Sequence, residues 1–369
     1  MSEEFHYFEE PNLIFGANQR AKDPHDGLAL FGAVDARPGL PSHVVIGTVR
    51  GVQLWGEWSA ALNQPAACED RKRQRPWPPY PGFDVAFGER WPDPVKTYLL
   101  DSDKLHFDAC RADRHERTYE VANHFISQIE SLNKLDEKPA LAICVVPDEV
   151  YQNCRSQQFV AEPSDERRTA TERKALKAVL ADRDAGQSQM FDSPSGLQAD
   201  DPTLEKYGLS PDFRRQLKAR MMEHEIPVQI VQESTLAITD DIRRGLPGAN
   251  PLSDRLWNFS TGVFYKLGRK PWRLDSPRDG VCYIGLAYKR ADNGRTACCA
   301  AQLFLDSGDG MVFVGDFGPW YSEQSREFHL TRSAAQKLLK GALATYQQQD
   351  GRPLKEIFIH ARSGLDEQE

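Results

Sequence analysis

Nowhere in this chain is there an apolar run approaching the roughly 18 residues that cross a bilayer. Its first ten residues, "MSEEFHYFEE", have neither the cationic start nor the apolar stretch of a secretory leader. Membrane and export classes are set aside, and a cytoplasmic protein is expected. An excess of positive charge is missing too: 46 Lys and Arg stand against 54 Asp and Glu, for a net charge of -8. Domains that bind nucleic acid over a broad face are usually basic, so any polyanion site must be local. The seven cysteines contain no CxxC pair, and several lie in apolar, strand-like runs, as reduced core thiols do. Cys298 and Cys299 are adjacent, and neighbours on a strand point to opposite faces, which argues against a redox pair. There is no Gly-rich phosphate loop and no Ser/His/Asp grouping. The nine histidines are scattered, and His224 and His360 read as packing or capping residues.

What is present is ordinary globular chemistry. With 369 residues, 40% hydrophobic and 27% charged, the chain suffices for about two domains and no internal repeat is visible. "HVVIGTV" (43–49) is a short β-branched strand, followed by a helix around "LWGEWSAALN". The prolines of "RPWPPYPGF" (75–83) exclude regular structure there. "YEVANHFISQIESLNK" spaces Val121, Phe125, Ile129 and Leu132 at helical intervals, and "ALAICVVP" after it is a buried strand. A parallel strand with a crossover helix is the natural assembly.

From Ala161 the composition turns polar, with "ERKALKAVL" as a surface helix in an otherwise solvated insertion of about 161–211. Then come a helix from about Asp212 to Glu223, the strand "PVQIV", and a helix from about Leu252 to Lys266 with Gly268 as its stop signal. A domain boundary is placed near residue 270. Beyond it, "GVCYIGLAYKR" (280–290), "TACCAAQLFLD" (296–306) and "MVFVGDF" (311–317) read as strands, "TRSAAQKLLKGALATYQQQ" (331–349) as a helix capped by Thr331, and "EIFIH" (356–360) as a strand. The order βββαβ is that of the first half of a ribonuclease-H-like sheet.

"DFRRQLKARMMEHEIPVQIV" (212–231) concentrates cations on one short helix. Arg214 and Lys218, four apart, share a face, and Arg215 flanks them. Gln229 lies on the strand that follows. A phosphate suits such a set, because Arg forks two donors, Lys supplies a point charge and an amide adds a donor. A solvated basic helix face is the alternative reading of the same spacing.

The stretches "YPGF" (80–83), "FRRQLKARMMEHEIPVQIVQESTL" (213–236), "FYKLGRKPWRLD" (264–275), "GVCYIGLAYKR" and "IFIHARS" (357–363) together resemble the MID and PIWI domains of Argonaute proteins. The resemblance is to the short prokaryotic type, which lacks the amino-terminal and PAZ domains. It implies an α/β fold with a Rossmann-like MID domain over 31–270, after an amino-terminal extension over 1–30. A ribonuclease-H-like PIWI domain follows over 271–369, expected to be truncated because the chain ends directly after its fourth strand. Carried over residue by residue, it implies that Arg214, Lys218, Gln229 and Lys266 hold the 5′-phosphate of a guide strand.

The same comparison bears on catalysis. Active PIWI domains cut with carboxylates that hold two divalent ions. In this chain Ala287 and Arg362 stand where two of those aspartates would be, and an arginine repels the metal an aspartate binds. Asp292, Asp306, Asp309 and Asp316 are the acids nearby in sequence. The resemblance therefore implies a protein that binds guide RNA (or guide DNA) and recognises complementary single-stranded DNA without cutting. It also implies Mg2+ bridging guide phosphates, no catalytic metal, and a partner carrying an APAZ domain fused to a sirtuin-like, TIR or nuclease effector in defence against plasmid or phage. An active guided nuclease using other acids, and a small-molecule sensor domain, are the rival readings.

Overall fold

The computed structural model describes residues 9–40, 42–67, 78–132, 138–184, 202–238, 250–275, 280–290, 297–305, 310–349 and 354–364. The chain divides into two compact units, His25–Pro271 and Met1–Pro24 with Trp272–Glu369. Two short strands come first, β1 (Leu13–Ile14) and β2 (Arg20–Ala21), before α1 (Pro24–Phe31).

The larger unit is built on four parallel strands, β3 (His43–Gly47), β4 (Lys96–Leu99), β5 (Leu141–Val146) and β6 (Val228–Gln232), in the order β4-β3-β5-β6. Every residue of β3 and β5 is buried. That is what their near-continuous apolar sequences require of strands covered on both faces. Helix α2 (Val49–Leu62) starts where the Thr48 hydroxyl accepts from the Gly51 N–H at 3.0 Å. A β-carbon on Gly51 would come within 2.9 Å of Val145 Cγ1, so the first turn of α2 lies directly on β5. After α3 (Phe83–Phe87) and α4 (Ser102–Ala109), the long helix α5 (Arg114–Leu132) joins the core. Val121, Phe125, Ile129 and Leu132 are all fully buried, as their spacing predicts.

The remaining helices of this unit are α6 (Asp148–Asn153), α7 (Ala170–Asp184), α8 (Pro202–Gly208), α9 (Phe213–Met221), α10 (Glu233–Leu236) and α11 (Leu252–Lys266). The stretch expected to be a solvated insertion carries a small core of its own. Leu176, Val179, Leu204 and Tyr207 pack together, the Tyr207 hydroxyl donates to Asp113 at 2.6 Å, and Lys206 pairs with Glu120 at 2.6 Å. The few apolar residues there are spaced three apart, which is enough to make one buried stripe.

An aromatic layer joins α2 to α11. Trp55 and Trp58 lie 5.7 and 5.8 Å from Phe259, and Phe87 lies 4.8 Å from Phe264. Tyr80, in the proline-rich loop, is fully buried and its hydroxyl sits 3.1 Å from the Leu62 carbonyl and 2.9 Å from Ser260 Oγ. His43 is sealed in the same layer, 4.9 Å from Trp91 and 5.7 Å from Trp55, with neither ring nitrogen hydrogen-bonded.

In the smaller unit, β1 pairs with β2 and with β7 (Arg273–Leu274), and Arg20 bonds Asp275 at 2.7 Å. Strands β8 (Val281–Arg290), β9 (Ala297–Leu305) and β10 (Gly310–Gly318) are antiparallel, helix α12 (Arg332–Gln349) follows, and β11 (Glu356–His360) pairs parallel to β8. The order is β10-β9-β8-β11, the ribonuclease-H-like arrangement expected. Cys282, Ile284, Cys299, Ala301 and Leu303 face Leu338, Ala342 and Tyr346 of α12 in its core. The Thr331 Oγ1 accepts from Ala334 N–H at 3.4 Å, at the start of that helix.

Burial depresses His43 from the usual histidine range to about 4. Its neutrality therefore supports the fold fully above the unfolded pKa of about 6.5, and that support is lost as pH falls toward 4, about 3 kcal/mol in all. Replacing His43→Phe should flatten the fall in urea-measured stability between pH 6.5 and 4. Parallel pH slopes for the two proteins would remove His43 from the acid response.

Candidate functional site

Helix α9 begins where Asp212 accepts a hydrogen bond from the Arg215 N–H at 3.0 Å. Phe213, Gln216, Leu217 and Met221 turn inward, and the ring of Phe213 lies 5.5 Å from Phe125 of α5. This leaves Arg214, Arg215 and Lys218 exposed on the outer side. Arg220, the fourth cation of the stretch, is used differently: it donates to Asn123 at 2.8 Å and lies 4.6 Å from the centre of the Tyr119 ring.

The short return through Pro227 brings β6 alongside α9, at the edge of the parallel sheet. Lys266, the last residue of α11, reaches the same place. Its Nζ donates to the Val228 carbonyl at 2.7 Å and to Gln229 Oε1 at 2.6 Å. What stops α11 there is Gly268 at φ +71°, with the Arg269 N–H returning to the Phe264 carbonyl at 3.2 Å. That left-handed step favours glycine, and it fixes a cation on the last turn, where the helix carbonyls favour positive charge.

The electrostatics follow from this crowding. Burial lowers Lys266 to about 8, with the charges of Lys218 and Arg214 pushing the same way. Lys218 is lowered by burial and by Arg214. Below them, burial raises the Cys144 thiol well above its ordinary range, and Lys266 opposes that rise. Among the described residues no carboxylate pairs with Arg214, Lys218 or Lys266. The structure thus brings together all four residues singled out from sequence. The set can hold an oxyanion, since it offers donors and positive charge and, among the described residues, no carboxylate paired to its cations. It offers a bridging Mg2+ no carboxylate among the described residues, and its one accepting amide oxygen is taken by Lys266.

Two further residues belong here that the sequence reading did not single out. Tyr151 on α6 lines both a cleft of about 610 Å3 beside Gln229 and one of about 650 Å3 beside Lys218, and Arg214 is common to the two. The Arg155 guanidinium lies 5.5 Å from the centre of the Tyr151 ring. The usable signal was position: Tyr151 on α6 and Arg155 just after it belong to the segment that leaves the carboxyl end of the fully buried parallel strand β5, where ligands of open α/β sheets gather.

In the smaller unit, the β8–β11 ladder runs from Glu356↔Val281 to His360↔Gly285. Ala287 and Arg362 are each two residues past that last pair, on neighbouring chain segments. Asp292, Asp306 and Asp309 lie outside the described residues, as does the side chain of Asp316.

No protein-family profile and no curated protein sequence matches the chain. Among solved structures it is similar to Clostridium butyricum Argonaute bound to a guide DNA and a 19-mer target DNA, at 14% identity and TM-score 0.51 over 98% of this chain and 37% of that one. It is also similar to Drosophila Piwi, at 13% identity and TM-score 0.49 over 96% of this chain and 34% of that one. The first of these likenesses shows an Argonaute-like fold. The chain spans little more than a third of the length of the proteins it matches.

Because Lys266 sits below the unfolded lysine value of about 10.5, its charge costs the fold stability, fully so once pH is below about 8. An anion settling beside it offsets that cost. Inorganic phosphate should therefore raise the melting temperature by several degrees at pH 7 and by much less at pH 9.5, where the amine is neutral. The variant Lys266→Met should lose the difference between the two pH values; a shift that is the same at both in the parent protein would place phosphate elsewhere.

Proposed function

We propose that this Argonaute-like chain is a guide-binding protein of the short prokaryotic type. In it the 5′-phosphate of a small guide, RNA in our reading, is seated on Arg214, Lys218, Gln229 and Lys266. The observation that carries the proposal is the convergence of three cations on one edge strand with no carboxylate paired to them among the described residues. The terminal phosphate carries most of a dianion's charge near neutral pH, so it offsets the mutual repulsion of Arg214, Lys218 and Lys266. Arg214 can fork onto two phosphate oxygens, Lys218 supplies a mobile point charge, and Lys266 is held in place by Val228 and Gln229. Sequence recognition of a complementary DNA strand is then left to base pairing, with the protein holding backbone and ends.

In this reading the protein does not cut. The support is the pair Ala287, within β8, and Arg362, two residues past β11, neither of which binds a divalent metal. Target pairing must then act through another polypeptide, and we assign that role to an APAZ-domain effector partner in defence against plasmid or phage.

Each charge-assisted bond to phosphate is worth about 1.5–3 kcal/mol. Lys218→Ala should accordingly weaken a 5′-phosphorylated guide by about 10- to 100-fold and a 5′-hydroxyl guide by much less, measured by fluorescence anisotropy; Gln229→Ala should do the same more mildly. Equal losses on both guides would mean a diffuse basic surface.

Loaded with guide and matched target, the protein alone should leave the target intact in Mg2+ or Mn2+, and Ala287→Asp should not restore cutting while Arg362 opposes the metal. Co-expressed with the product of the adjacent gene, it should form a complex whose enzymatic output needs both strands. Metal-dependent cleavage at a fixed distance from the guide end would overturn the non-cutting reading, and output indifferent to the duplex would overturn the partner.

A further inference from the structure

The larger unit carries a second and bigger concentration of positive charge that the guide seat does not use. Helix α7 and the segment before it set Arg167, Arg173, Lys174 and Lys177 around a cleft of about 710 Å3, with Arg114 from the start of α5 on its other side. Among the described residues none of these five has an acidic partner. Three acids nearby are already engaged: Glu116 pairs with Arg168, Asp113 accepts from Tyr207, and Glu172 accepts from the Thr169 N–H and hydroxyl. In a chain of net charge -8, this cluster is a local concentration of positive charge. It is held in place by the packed side chains of Leu176, Val179, Leu204 and Tyr207 beneath it.

This groove adjoins the seat. Gln158 lines both it and the cleft that contains Arg155, Arg214, Arg215 and Lys218, while Tyr151 and Arg214 join that cleft to the one beside Gln229. The two directions away from Arg214 differ in chemistry. Toward β6 the walls carry amides and hydroxyls, among them Gln232, Ser234 and Asn258, together with Asp254 and Arg255, a mixed set that suits the edges of a nucleobase. Toward α7 the walls are rich in guanidinium and ammonium groups, which suit phosphodiesters and read no sequence.

We infer that the α7 groove is a second nucleic-acid site, which takes the backbone of the complementary strand where it runs on past the guide's 5′ end. This rests on the guide-seat reading. The guide itself ends at the seat, with its terminal base in the amide-lined cleft, whereas the strand paired to it has no end there. The cationic track leads away from that point.

The test uses the full chain loaded with a 5′-phosphorylated guide. Two complementary targets are compared by anisotropy across a salt series, one flush with the guide's 5′ end and one extended past it by about ten nucleotides. The extended target should bind several-fold more tightly. The combined variant Arg173→Gln, Lys174→Gln, Lys177→Gln changes three exposed positions to another good helix former. It should leave the flush target unchanged, abolish the advantage of the extension, and lower the salt slope by about 2, at about 0.7 per phosphate contact on a single strand. Equal binding of flush and extended targets by the parent protein, or equal losses on both in the variant, would overturn the inference. If the guide's 5′-phosphate makes no difference to loading, it is the seat reading that falls. The groove is then read alone with an unpaired strand, where binding lost in the variant supports a nucleic-acid groove and binding unchanged overturns it.

Discussion

The burial of the Lys266 amine, with Lys218 and Arg214 beside it, is the constraint around which the seat in the larger unit is arranged. A cation whose pKa is pulled down to about 8 is held against its preference, so something rigid must hold it. The aromatic layer between α2 and α11 does this at one end, and the left-handed stop at Gly268 does it at the other. On the opposite side, the packing of Phe213 against Phe125 fixes α9. Among the described residues β6 is an edge strand, so both helices can approach it and no further strand covers Gln229.

The placement also explains why the seat is not at the sheet's topological switch, between β3 and β5, where α/β ligands commonly bind. There the buried Glu233 accepts from the Thr48 hydroxyl at 3.0 Å and lies 3.6 Å from Arg50. Burial raises its pKa, so an added anion would meet both a carboxylate and a filled crevice. One strand further over, Arg214, Lys218 and Lys266 have no carboxylate paired to them among the described residues.

Much of this was legible in the sequence because it is local. The interval of four between Arg214 and Lys218, the helical spacing from Val121 to Leu132, and the βββαβ order after residue 280 all survive as read. Lys266 was reachable only through family resemblance, since nothing in its neighbourhood points 37 residues back to Gln229. The two-residue strands β1, β2 and β7 have no period to detect, and they pair residues some 260 positions apart, Leu13 with Leu274. Likewise, the polar composition of 161–211 concealed a core of four side chains, and the track from Tyr151 to α7 exists only once several separate segments are folded together.

A lysine near pKa 8 has one more property. At pH 7 about a tenth of its amine is unprotonated, against fewer than about one part in a thousand for an ordinary lysine. Lys266 is therefore a nucleophile set in the floor of an anion site, half-buried and aimed by two hydrogen bonds at neutral oxygens. Carbonyl and active-ester reagents small enough to enter would find it chemically distinct from the surface lysines, and a ligand in the site would both shield the amine and restore its proton.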